Sequence, residues 1–131
     1  HTPEEMVHAI FNSDNKAVSV STVTYVTNRD VDALKASLDV GPTSVTIDAG
    51  KNTFQSYQSG VIDSTTCGTA LNHAVTAVGY GYLNNDANQM YWIIRNSWGS
   101  SWGDAGYVKI KAVSGIGICG VQSYSYRPSV V

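Results

Sequence analysis

Charge is scarce in this sequence. Asp, Glu, Lys and Arg together make 14% of its 131 residues, against roughly 25% in an ordinary soluble domain. The formal net charge is −2. No basic excess is available to neutralise a phosphate backbone, so nucleic acid is excluded as a partner. Long apolar runs are missing too: none approaches the roughly 18 residues of a membrane-spanning helix. The opening His1-Thr2-Pro3-Glu4-Glu5 lacks the features of a signal peptide. No internal repeat and no low-complexity linker divides the chain, whose length suits one domain. With so little charge, the surface needs Ser, Thr, Asn and Gly as cover, or an apolar face hidden against a partner.

Cysteine is nearly absent as well. Cys67 and Cys119 are the two present. An even count fits one disulfide, and it also fits a pair of buried free thiols. A bridge between them would stabilise the fold by about 4 kcal/mol on the chain-entropy model.

What is present reads as helix first and strand afterwards. Thr2-Pro3-Glu4-Glu5 is a capping box with proline at the first helical position, predicting a short helix to about Phe11. Ala17 to Val26 alternates as a strand with one irregularity. A second helix starts near Asn28 to Asp30, carries Val31, Leu34 and Leu38 on one stripe, and stops at Gly41-Pro42. Val45 and Ile47 share one face of a strand. Phe54 and Tyr57 fall in a polar connection. His73 to Tyr82, rich in small and apolar residues, predicts a strand buried on both faces. Met90 to Arg95 and Tyr107 to Lys111 are further strands, and the stretch from Gly117 to Tyr126 has room for a last one. The fold class expected is α+β, with one or two helices and about five antiparallel strands.

Two motifs are decoys. Gly115-Ile116-Gly117-Ile118-Cys119-Gly120 matches the dinucleotide fingerprint, but no acidic residue follows it and too little chain remains for the helix it requires. Gly99-Ser100-Ser101-Trp102-Gly103 matches a nucleophile elbow, but no histidine follows Ser101 as that hydrolase order demands. A third constellation has more content. His73 stands at the mouth of one apolar strand and Asn96 at the end of another. A base needs its second ring nitrogen held by a fixed acceptor, and an amide oxygen does this without adding negative charge. Trp98, two residues beyond Asn96, suits a cover over that contact. A histidine alone in an apolar segment is more often a satisfied core residue; its surroundings decide.

Those surroundings carry a resemblance. Asn72-His73-Ala74-Val75, Val78-Gly79-Tyr80-Gly81, the block Tyr91-Trp92-Ile93-Ile94-Arg95-Asn96-Ser97-Trp98-Gly99-Ser100-Ser101-Trp102-Gly103, and Gly106-Tyr107 resemble the C-terminal half of a papain-like cysteine protease. Gly41-Pro42, Phe54-Gln55-Ser56-Tyr57, Cys119-Gly120 and Tyr126-Arg127-Pro128 fit the same family. The likeness runs from about Ala17 to Pro128 and leaves residues 1 to 16 unplaced.

The resemblance implies half of a two-domain fold, namely the β-rich, antiparallel, barrel-like domain, with the nucleophilic cysteine carried by the other. It implies His73 as base, Asn96 as its orienter, and Trp98 as cover and lining of the cleft. Thr46, Asn72, Ala74 and Tyr124 match positions that line the pocket for the second substrate residue before the cut, with the Tyr124 phenol at its floor. Cys67 and Cys119 match a family disulfide. No cofactor or metal is implied. The implied partners are the cysteine-bearing half of the protease and peptide substrates, in a lysosomal, vacuolar or secreted setting. The family's catalytic cysteine block lies about 130 to 150 residues before its histidine, and His73 has no such length of chain before it. The expectation is therefore a cysteine peptidase whose His and Asn are here and whose Cys is elsewhere, this chain alone being inactive. The alternative is an inactive homologue or a stand-alone interaction module.

Overall fold

The computed structural model describes residues 20–130. The helix expected over Thr2 to Phe11 lies outside the described residues. In chain order the elements are β1 (Val20–Tyr25), α1 (Val31–Val40), β2 (Thr43–Ile47), α2 (Asn52–Gln55), β3 (Val61–Ile62), β4 (His73–Tyr82), β5 (Met90–Arg95), β6 (Tyr107–Lys111) and β7 (Ser125–Val130).

The strands form one sheet in the order β1-β7-β2-β4-β5-β6-β3. Every neighbouring pair runs antiparallel except β3 and β6, which run parallel. The α+β class expected from the sequence is what forms. In detail the sheet is mixed and remains open, with β1 and β3 at its edges. β4 and β5 separate β3 from β6 in the chain, so no hairpin dictates the direction of that pair.

Alternation builds the core. Met90, Trp92 and Ile94 of β5 point inward, as do Val108 and Ile110 of β6 and Val45 and Ile47 of β2. Phe54, Leu34 and Val121 join them, fully buried. α1 packs on β4 through Leu34. Its N-terminus is closed by Asp30, whose Oδ1 accepts the Ala33 N–H at 3.0 Å. That bond satisfies one of the donors a helix start leaves unpaired.

Three expectations need correction. β4 is not buried on both faces: Val75 and Ala77 are buried, whereas Val78 and Tyr82 are exposed. A bulge between Ala77 and Gly79 shifts the register against β5 and turns the following side chains. Phe54 does not sit in an irregular connection but in α2, a single helical turn of which it is the buried residue. The last strand starts at Ser125, so only Ser125 and Tyr126 of the stretch from Gly117 to Tyr126 belong to it, and it runs on to Val130. Gly117, Cys119 and Gly120 all have positive φ, outside the extended region of a regular strand.

Candidate active site

His73 opens β4, paired across to Ile47 of β2. Asn96 follows the last residue of β5, and its own N–H donates to the Gly106 carbonyl at 2.9 Å. The two side chains, one on a strand start and the other just past a neighbouring strand's end, meet at 2.8 Å between His73 Nε2 and Asn96 Oδ1. Rigid strand ends suit a contact whose geometry must be held closely.

The local hydrogen bonds assign the proton. The Ser97 backbone N–H donates to Asn96 Oδ1 at 2.8 Å. A backbone N–H cannot accept, so the atom facing both Ser97 and His73 is the amide oxygen. His73 Nε2 must then be the donor. In the neutral ring this leaves Nδ1 as the basic nitrogen. Asn96 is 6% exposed, and its Nδ2 has no hydrogen-bond partner among the described residues.

An aromatic cluster surrounds the pair. The Trp98 ring lies 5.1 Å from the His73 ring, centroid to centroid, at 30°. Phe54 stands edge-on to both, 6.5 Å from His73 and 5.4 Å from Trp98. Trp102 packs on Phe54 at 4.8 Å, and its indole N–H donates to the Gln55 carbonyl at 3.1 Å. Phe54 is buried while Trp98 is 41% exposed, so the cluster runs from core to surface past the imidazole. Such pairs add roughly 0.5 to 1.5 kcal/mol each beyond their buried area. Sequence reasoning found Trp98 but missed Phe54 and Trp102 as parts of this surround. The Phe54-to-Trp102 contact joins segments far apart in the chain, and only the folded chain reveals it.

The remaining residues lie on β2, around the start of β4 and just before β7. Thr46 pairs with Ala74, and its N–H donates to the Tyr124 carbonyl at 3.1 Å. Thr46 of β2, Ala74 of β4 and Tyr124, the residue before β7, are therefore backbone neighbours. Tyr25 stacks edge-on against Tyr124 at 6.1 Å, a neighbour the sequence reading did not name. Asn72 uses its amide internally: Oδ1 accepts the Ala49 N–H at 2.9 Å and Nδ2 donates to Asp48 Oδ1 at 3.2 Å.

Asp48 is buried, and its carboxylate also accepts the Gly50 and Ala70 N–H groups, both at 2.9 Å. Burial pushes its pKa up, but those two amides, the Asn72 amide and the Lys51 charge outweigh it and hold the group below the usual carboxylate range. Cys67 and Cys119 form a disulfide, Cα to Cα 4.9 Å. Both cysteines of the sequence are thereby used. No group of three or more His, Cys, Asp or Glu among the described residues is placed to hold a metal. Neither decoy finds its context. The Gly99 to Gly103 turn leads into β6 and not a helix, and Cys119 of the glycine-rich run is in the disulfide.

Comparison with known proteins places this geometry in a family. Residues 4–129 match the model of the papain family cysteine proteases. Germination-specific cysteine protease 1 of Arabidopsis thaliana is 44% identical over 90% of this chain and 31% of its own length. Mouse cathepsin S is 40% identical over 92% of this chain and 34% of its own length. The solved structure of the Ananas comosus bromelain protease with the E64 inhibitor superposes with a TM-score of 0.75 at 40% identity, covering 84% of this chain and 50% of that one. The chain spans about a third of the length of these curated relatives. It belongs to the papain family of cysteine proteases.

Proposed function

We propose that this chain is the His/Asn-bearing, β-rich domain of a cysteine peptidase, and that the nucleophilic thiol comes from a segment outside these residues. The observation that carries the reading is the His73 to Asn96 contact, which fixes the tautomer and leaves Nδ1 as the base. The disulfide supports the second half, since both cysteines present are bonded.

The chemistry follows from the ring. With a thiol near Nδ1, the imidazole takes its proton, and the thiolate and imidazolium stabilise one another. The thiolate attacks the peptide carbonyl carbon and forms a C–S bond. As the C–N bond breaks, Nδ1 gives its proton to the departing amine. Nδ1 then takes a proton from water, whose oxygen attacks the thioester; the thiolate leaves and the acid is released. Throughout, Nε2 keeps its proton and its bond to Asn96. Trp98 shields that bond on its ring side. Thr46, Asn72, Ala74 and Tyr124 form the pocket for the second residue before the cut, with Asn72 as a braced wall. One disulfide suits an oxidising setting, hence a lysosomal, vacuolar or secreted protease.

The test is labelling with an epoxide or vinyl-sulfone probe. Combined with a cysteine-bearing segment of the family, the chain is expected to hydrolyse a peptide substrate and the thiol of that segment to be labelled. This chain alone is expected to do neither. An assembled pair with an intact thiol, no labelling and no turnover would overturn the peptidase reading in favour of an inactive interaction module.

A further inference from the structure

The ladder between β2 and β4 ends at the pair Ile47 and His73, with the Asn72 N–H on the Ile47 carbonyl at 3.0 Å. Just past this end two loops leave the ladder, residues 48–50 after β2 and residues 68–72 before β4. One carboxylate joins them. Asp48 Oδ2 takes the Ala70 N–H from the second loop. Oδ1 takes the Gly50 N–H from the first and the Asn72 amide from the second. Asn72 returns the bond by accepting the Ala49 N–H. The Asp48 backbone N–H donates to the Cys119 carbonyl at 2.8 Å, next to the disulfide that anchors Cys67.

The fit around this carboxylate is tight. A Cβ on Gly68, whose φ is +84°, would collide with Asp48 Oδ2. The Lys51 side chain closes the same spot, 3.1 Å from that position. A buried carboxylate costs free energy unless its lone pairs are satisfied. Here two of its three bonds, from Ala70 and Asn72, go to the stretch that delivers His73 into the sheet, and the third, from Gly50, braces the facing loop.

We propose that Asp48 is a positioning residue for His73: its carboxylate fixes the two loops at the start of β4 and so holds the imidazole on Asn96 in one tautomer. It touches neither substrate nor reacting atoms. What the positioned ring then does rests on the peptidase reading; the positioning itself does not.

Magnetic resonance of the isotope-labelled chain tests this at the ring nitrogens, with no thiol required. In the wild type, His73 is expected as the single tautomer protonated at Nε2, with a slowly exchanging ring proton. Asp48→Ala is expected to mix the tautomers and to speed exchange of that proton by at least about tenfold. Asp48→Asn should do so less, because it keeps one acceptor oxygen and turns only the Ala70 contact into two facing donors. The tautomer ratio is a property of the folded state, so mere loss of stability does not move it. A wild-type ratio in both variants, with Ala70 exchanging faster, overturns the proposal. If neither variant folds, the wild type is titrated with acid. Loss of ring-proton protection in step with the Asp48 carboxyl signal supports the proposal, and a ring proton indifferent to that titration overturns it. In a complete enzyme the same variants should lower kcat with KM nearly unchanged. An inactive enzyme would count against the peptidase reading, while the ring measurement would still decide the role of Asp48.

Discussion

Two side-chain amides in this molecule do opposite things. Gln122 is 2% exposed and complete. Its Oε1 accepts the Trp92 indole N–H at 3.1 Å, and its Nε2 donates to the Val113 and Gly115 carbonyls. Asn96 is nearly as buried, yet its oxygen is shared between Ser97 and His73 while its Nδ2 has no partner among the described residues. A buried polar group whose bonds are all made locks a core. One left partly unsatisfied costs stability, and that cost is tolerated where the group has another task. Gln122 therefore reads as structure, whereas Asn96 has the task that the proposed function gives it.

Substitution is the way to break this contrast. His73→Ala should have the largest effect, lowering turnover of the assembled peptidase by at least about 10³-fold while shifting the unfolding midpoint little. Steady-state kinetics beside a urea titration would show it. A rate near that of the wild type would end the assignment of His73 as base. Gln122→Ala should invert the pattern. It strands an indole N–H and two carbonyls, and should destabilise by about 3 kcal/mol in the same titration. The His73 ring signals should remain as in the wild type. Asn96→Ala should cost about 10²-fold in rate, less than His73→Ala, since the base survives but its ring is free to turn. Its stability loss should be smaller than that of Gln122→Ala.

The smallest effect concerns pH. The Asp48 pKa is lowered on folding, so its contribution is present above the ordinary carboxylate range and is lost as pH falls through the lowered value. The difference in melting temperature between wild type and Asp48→Asn should be largest near neutrality and vanish in strong acid. A difference independent of pH would mean that the carboxylate charge is not what stabilises the loops.

The contrast also marks what the sequence could show. His73, Asn96 and Trp98 were legible because a dense, specific block of residues surrounds them. β5 was legible as a short apolar run, β6 from clean alternation, and α1 from its apolar stripe and its stop. α2 was not, since one helical turn is too short for a period to emerge. β3 was not, because two residues carry no pattern and its partner β6 is distant in the chain. The turn through Cys119 was misjudged as room for a strand because backbone angles leave no mark on hydrophobicity. Asp48 escaped notice for a related reason. Its bonds are mostly to backbone amides, and backbone has no letter in a sequence.

The ring of Trp98 against His73 has an optical consequence. An imidazolium quenches a neighbouring indole more strongly than a neutral imidazole does, and the rings are 5.1 Å apart. Trp92 is fully buried, so its emission follows the packing of the core. With Trp92 and Trp102 replaced by Phe, the light emitted by Trp98 becomes a gauge of the charge on His73. It would allow the protonation of the base to be followed in real time, without substrate and without label.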